Sequence, residues 1–324
     1  MKLEGLSILV TGGAGFIGSH LAKKLAEENQ VVVYDNFSSS VVSVRDLMNI
    51  RVIKGDILDR KKLKHAMRGV DMVFHLAVAC VRLSLENPLF VHDTNATGTL
   101  TTLLAAKGAR VKRFIYISSS EVYGTAQKPN IDENHPINPT TGYGASKYMG
   151  EEYTRLFSAQ LPSIIIRPFN TYGPRSHFDG VYGEVIPRFV IRALNKKPPI
   201  IFGKGNQTRD FTYVTDSVDG IIRAAEFDEL VGDVVNIAYG REVSINEIAK
   251  EVCTATSLPF KPVSKPARPN DVARHAADIT KAKKLLKFSP TIGIREGIKR
   301  YAAWLKQTYP DLMSLLGQIP ERNW

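Results

Sequence analysis

The chain has 324 residues, 44% hydrophobic and 23% charged, enough apolar material for one large domain or two closely joined ones and too much for a disordered chain. Only Cys80 and Cys253 occur, without metal-ligand spacing, so neither a disulfide framework nor a metal centre is expected. From Lys261 onward 13 Lys and Arg face 5 Asp and Glu, which accounts for most of the net charge of +11; these residues are scattered over runs such as ITKAKKLLKF without an aromatic-basic platform, so nucleic acid is not an expected partner.

The N-terminal MKLEGLSILVTGG lacks a basic stretch followed by a long apolar run and a cleavage site. No later segment reaches the roughly 18 uninterrupted apolar residues of a membrane span, and a soluble, cytoplasmic protein is expected. LSILVTG reads as a strand ending in glycines, and FIGSHLAKKLAEEN places Phe16, Ile17, Leu21 and Leu25 at a helical period. The alternation continues through QVVVYD, RVIKGD, LKHAMRGV, DMVFHLA, TLTTLLAAKGA, KRFIYIS, a helix from Tyr143 to Ser158, and SIIIRP. Strands alternating with helices predict an α/β fold with a doubly wound parallel sheet of the Rossmann type. After Pro168 the pattern changes to Gly-, Pro- and Asn-rich loops around short strands. The expected organisation is a dinucleotide-binding domain over residues 1–168 and a smaller α/β substrate-binding region over 169–324, some segments of which return to the first domain.

Gly12, Gly15 and Gly18, with Phe16 and Ile17 between the last two, stand where the first strand turns into the first helix. Glycines let the backbone approach a pyrophosphate, and the helix N-terminus offers unpaired N–H groups to it. The second strand ends in Asp35, followed by Asn36, and a carboxylate there can bond a ribose 2′-hydroxyl. No Arg or Lys occurs over 36–44 to welcome a 2′-phosphate, so the expected cofactor is NAD and not NADP. Further on, Tyr143 and Lys147 are four apart at a helix start and share a face. An ammonium there can lower the phenol's pKa, and the phenolate can take a hydroxyl proton while NAD accepts the hydride. Ser119, at a strand end, is placed to bond the reacting oxygen.

With these residues the chain resembles the extended short-chain dehydrogenase/reductase family, and within it the nucleotide-sugar epimerases, dehydratases and decarboxylases. The likeness runs from about Ser7 to about Trp304 through TGGAGFIGSHL, YDNFS, GDILD, HLAV, NATGT, SSSEVYG, YGASK, RPFNTYGP, TRDFTYV and RPND. The resemblance implies that Ser119 steadies the sugar C4 oxygen, that Tyr143 removes the C4 proton, and that Lys147 orients Tyr143 and the nicotinamide ribose. It places Asp56 and Ile57 beside the adenine, and His75, Leu76, Ala77 and Asn95 along the cofactor. Asn170, Arg209 and Arg268 resemble the residues that contact the substrate diphosphate, and a homodimer is expected.

The outcome of the reaction stays open at this level. A UDP-sugar 4-epimerase is the preferred reading, because the Ser, Tyr and Lys set is complete. Glu121, two residues after Ser119, resembles the base of many 4,6-dehydratases and decarboxylases, which keeps dehydration as the alternative; the general-acid Asp often found between them is replaced by Ser120. GASK after Tyr143 departs from the acidic-glycine pair typical of decarboxylases. A non-catalytic NAD- or RNA-binding protein is the remote alternative, and the joint presence of Ser119, Tyr143 and Lys147 argues against it.

Overall fold

The structure is a computed structural model and describes residues 1–47, 50–268 and 272–322. In its first strand, β1 (Ser7–Thr11), Ile8 and Val10 join a cluster with Leu21 and Leu25, whereas Leu9 joins Tyr34 and Leu63 on the opposite face. Successive strand residues point to opposite sides, and an apolar run with no alternation requires cover on both.

That cover comes from the helices between the strands. After β1 come α1 (Phe16–Leu25), β2 (Gln30–Asp35), β3 (Arg51–Lys54), α2 (Arg60–Ala66), β4 (Met72–His75), α3 (Leu83–Glu86), α4 (Pro88–His92) and α5 (Gly98–Gly108). Then follow β5 (Arg113–Ile117), α6 (Gly142–Phe157), β6 (Ser163–Pro168), β7 (Asn170–Tyr172), α7 (Val185–Leu194), β8 (Ile200–Phe202), β9 (Thr208–Tyr213), α8 (Val214–Glu226) and β10 (Val234–Ile237). The chain continues through β11 (Glu242–Ser244), α9 (Ile245–Ala255), β12 (Val263–Lys265), α10 (Thr280–Leu286), α11 (Ile294–Thr308) and α12 (Leu312–Gly317).

Seven strands form one parallel sheet in the order β10-β6-β5-β4-β1-β2-β3. Val10 pairs with Val33 of β2 on one side and Phe74 of β4 on the other. The winding direction reverses between β1 and β4, and the crevice beyond the C-terminal ends of two such strands is where an open α/β sheet binds ligands. This is the doubly wound fold expected from the alternation. β10, α8 and α10 follow residue 168 in the chain yet pack on this sheet, whereas β9 pairs with β7 and β11, and β8 with β12, outside it. A separate core of Phe189, Val190, Ile248, Val252, Ile298 and Leu305 holds α7, α9 and α11 together. Among the described residues no helix is long and apolar enough to cross a membrane.

Candidate active site

A groove of about 320 Å³ opens at the reversal point, between the turn after β1 and the segment after β4. Gly12 has φ +70°, and a Cβ on it would sit 2.6 Å from the Ala77 backbone nitrogen. A Cβ on Gly18 would lie 2.1 Å from the Gly12 carbonyl oxygen, so the first turn of α1 packs directly on the glycine turn. Gly12, Gly15, Phe16, Ile17 and Gly18 all line the groove. The first N–H groups of α1 have no partners within the helix and, with the helix dipole, suit a pyrophosphate.

At the end of β2, Asp35 also lines the groove. One carboxylate oxygen accepts the Ala14 N–H at 2.9 Å and the other the Phe37 N–H at 2.7 Å. Burial raises its pKa, while these two backbone donors act in the opposite sense. Each oxygen keeps a lone pair for a further donor. Asn36 donates to Asp56 at 3.0 Å, and Asn36, Asp56, Ile57, Leu76 and Ala77 complete this end of the groove. A turn that a Cβ would fill, a helix start and a carboxylate beyond it fit a dinucleotide.

His75 and Asn95 stand behind the groove and do not line it. His75 is fully buried between Thr11 Oγ1 at 2.7 Å and Thr99 Oγ1 at 2.9 Å, and its pKa is pushed down to about 3 by burial. A π-helical turn, Asp93–Thr97, joins α4 to α5 and turns Asn95 inward. There its amide bonds both the N–H and the carbonyl of Ala79, and donates to Ser146 Oγ at 3.1 Å. Both side chains hold the wall that Leu76, Ala77 and Ala79 present to the groove.

At the other end of the groove, Ser119, Glu121, Tyr143, Lys147 and Asn170 converge. Thr141 caps α6 by accepting the Gly144 N–H at 3.0 Å, which sets Tyr143 in the first turn and Lys147 one turn further on the same face. The Tyr143 hydroxyl hydrogen-bonds Ser119. Burial raises the Tyr143 pKa, with the Ser119 bond opposing it and the charge of Glu121 adding to it. The expected lowering by Lys147 is therefore not what this arrangement produces. Lys147, 2% exposed, donates to the Ile117 carbonyl at 2.7 Å and lies 4.4 Å from the Tyr116 ring centroid. Burial brings its pKa down to about 7, against the pull of Glu151.

Glu151 went unrecognised in the sequence, although its place four residues after Lys147 was a usable signal. It is fully buried, accepts from Ser118 Oγ at 2.6 Å, and is held by Arg167 through Nε at 2.8 Å and Nη2 at 2.5 Å. Arg167 in turn donates to the Tyr123 hydroxyl at 2.8 Å. This network fixes the Ser118-Ser119-Ser120 strand end to the same helix that carries Tyr143 and Lys147.

Beyond Glu121 and Asn170 the groove continues into a second cavity of about 220 Å³. Arg209 on β9 and Arg268 after β12, the two arginines expected at a substrate diphosphate, both line it. Arg209 donates to the carbonyls of Thr208 and Val272, and the Arg268 guanidinium stacks 4.9 Å above Phe202. Pro269, Asn270 and Asp271, the rest of RPND, lie outside the described residues. Four charged lining residues were missed in the sequence: Arg82, Glu184, Arg188 and Arg192. Arg82 and Glu184 also line the groove, so they stand with Glu121 and Asn170 where the two spaces meet.

Residues 8–238 match the model of the NAD dependent epimerase/dehydratase family. Among curated proteins, the chain is 37% identical to a putative UDP-glucose 4-epimerase of Methanocaldococcus jannaschii, over 92% of this chain and 98% of that protein. It is 34% identical to a UDP-N-acetyl-alpha-D-glucosaminuronate decarboxylase of Bacillus cytotoxicus, over 94% of this chain and 98% of that protein. Among solved structures, the UDP-glucose 4-epimerase of Thermotoga maritima with UDP-glucose superposes with a TM-score of 0.89 at 35% identity, covering 94% of this chain and 99% of that one.

Proposed function

Because the chain belongs to the NAD dependent epimerase/dehydratase family, we propose that this NAD-dependent enzyme is a UDP-sugar 4-epimerase acting through Ser119, Tyr143 and Lys147. The observation that carries this reading is the junction itself: these side chains meet where a dinucleotide-shaped groove runs into a cavity lined by arginines. NAD, when bound, would supply the acceptor and later donor of the C4 hydride, and a positive charge within the groove that Tyr143 lines. Gly12, Gly15 and Gly18 would hold its pyrophosphate and Asp35 its adenosine ribose. Tyr143, once its phenol has lost its own proton beside the positive charge of bound NAD, would accept the C4 hydroxyl proton and give it back, while Ser119 holds the oxygen during both transfers. Lys147 fixes the edge of the site next to Tyr143. Arg209, Arg268 and Asn170 hold the diphosphate, leaving the hexose free to turn and present the other face of its C4 ketone.

Glu121 supports a second reading, a 4,6-dehydratase or related lyase. It lines both spaces and acts electrostatically on Tyr143, so with the sugar C4 at Tyr143 a carboxylate would stand near the carbon next to the ketone. Incubation with UDP-, dTDP- and GDP-hexoses and mass spectrometry of the products separates the readings: an epimer keeps the substrate mass, and a dehydrated sugar is lighter by one water. A homodimer and a cytoplasmic location belong to the same proposal. Leu104, Met149 and Leu156 on α5 and α6 are 49%, 41% and 73% exposed, an apolar face that suits a second copy.

A further inference from the structure

Helix α7 carries a charge arrangement that the proposed chemistry leaves unused. Its N-cap, Glu184, stands at the junction of groove and cavity, and Arg188 and Arg192 follow one and two turns later, both lining the cavity. At 1.5 Å per residue they lie about 6 and 12 Å along the axis from Glu184, on one face. Arg188 is 6% exposed. Its Nη2 donates to the backbone carbonyls of Pro320 and Glu321, and its Nη1 is buried without a hydrogen-bond partner among the described residues. The Glu321 carboxylate pairs instead with Lys265, at 2.5 Å.

Carbonyl oxygens carry only partial charge, so a buried guanidinium held by them retains most of its cost of burial. Its neighbours add to that cost. Burial first, and then the charges of Arg82 and Arg192, lower the Arg188 pKa to about 10, so Arg188 stays charged at neutral pH in a cavity that Arg82 and Arg192 also line. Like charges gathered round a space are relieved by an anion in it, and a phosphate matches the donor fork of Arg.

We propose that Arg188, supported by Arg192, binds the diphosphate of the nucleotide substrate directly, extending onto α7 the site begun by Arg209 and Arg268. This rests on the nucleotide-sugar reading above. It makes α7 a ruler from Glu184, at the junction with the groove, into the cavity.

Calorimetric titration of the NAD-loaded full chain with UDP, and with dTDP and GDP in parallel, tests it. Arg188→Gln weakens binding of the preferred nucleoside diphosphate about 10- to 100-fold, the loss of one or two charged hydrogen bonds, and Arg188→Lys recovers part of it. A chain ending at Gln318 separates ligand binding from anchoring of the tail, because it removes the Pro320 and Glu321 carbonyls but keeps Arg188. The proposal requires Arg188→Gln to weaken binding in that shortened chain as well. Equal nucleoside-diphosphate affinity in wild type and Arg188→Gln overturns it, as does a loss reproduced in full by shortening alone. A loss confined to UDP-glucuronic acid, with UDP unaffected, also overturns it and assigns Arg188 to a sugar carboxylate. A wild-type chain that binds none of the three diphosphates sinks the nucleotide-sugar reading itself.

Discussion

The ammonium of Lys147 donates to the backbone carbonyl of Ile117 at 2.7 Å, tying helix α6 to the C-terminal end of strand β5. Ile117 is the last residue of that strand and Ser119 follows two residues later, so this bond sets the distance between the helix bearing Tyr143 and the strand end bearing Ser119.

Burying the Lys147 ammonium costs stability, with a definite pH signature. Lys147 has a pKa of about 7 in the fold against an ordinary 10.5, so between these values the unfolded chain binds the extra proton and stability rises with pH. Lys147→Met removes the buried charge. It is expected to be more stable than wild type near neutral pH by roughly a few kcal/mol, an advantage that fades as the pH approaches about 10.5. Thermal unfolding of both proteins across that window checks this, and a gap that stays constant with pH contradicts it.

Tyr143→Phe deletes the proton carrier while keeping the ring. Turnover is expected to fall about 10²- to 10⁴-fold with NAD binding nearly intact. Steady-state rates and cofactor content of the purified variant decide it, and retention of more than about a tenth of wild-type turnover lies outside that range.

Asp35 is expected to set the cofactor preference. Its carboxylate is anchored by Ala14 and Phe37 and cannot swing away, so a 2′-phosphate would meet a fixed negative charge. NAD is expected to bind more tightly than NADP, and equal affinities by calorimetry would falsify this.

Arg209→Ala and Arg268→Ala are each expected to weaken nucleotide-sugar binding by about 1.5–3 kcal/mol with little effect on NAD. Both line the second cavity and neither lines the NAD groove. Unchanged substrate affinity in both variants would make them wall residues only.

Glu121 distinguishes epimerisation from dehydration. An epimerase never ionises C5, so turnover in D₂O should leave no deuterium there and Glu121→Gln should keep most activity. Deuterium at C5, or a rate loss of the size expected for a missing base, transfers the assignment to the lyase reading.

The parts of this site that were legible in the sequence are local ones. A glycine turn between strand and helix, an acidic residue ending the next strand, and a Tyr and Lys one helical turn apart each depend on backbone geometry over a few residues, so Gly12, Gly15, Gly18, Asp35, Tyr143 and Lys147 could be read directly. Whether His75 or Leu76 faces the groove is a question of one residue at a strand end. Successive side chains there point opposite ways, and the sequence pattern accommodates either; the packing of His75 between Thr11 and Thr99 decided it. The basic cavity lies further still from local reading, because Arg82, Arg188, Arg209 and Arg268 come from four segments that only the folding of the region after Pro168 onto the sheet brings together. Each alone looks like a surface arginine, and their common meaning arises from lining one cavity, which is a property of the tertiary structure and of no single stretch of chain.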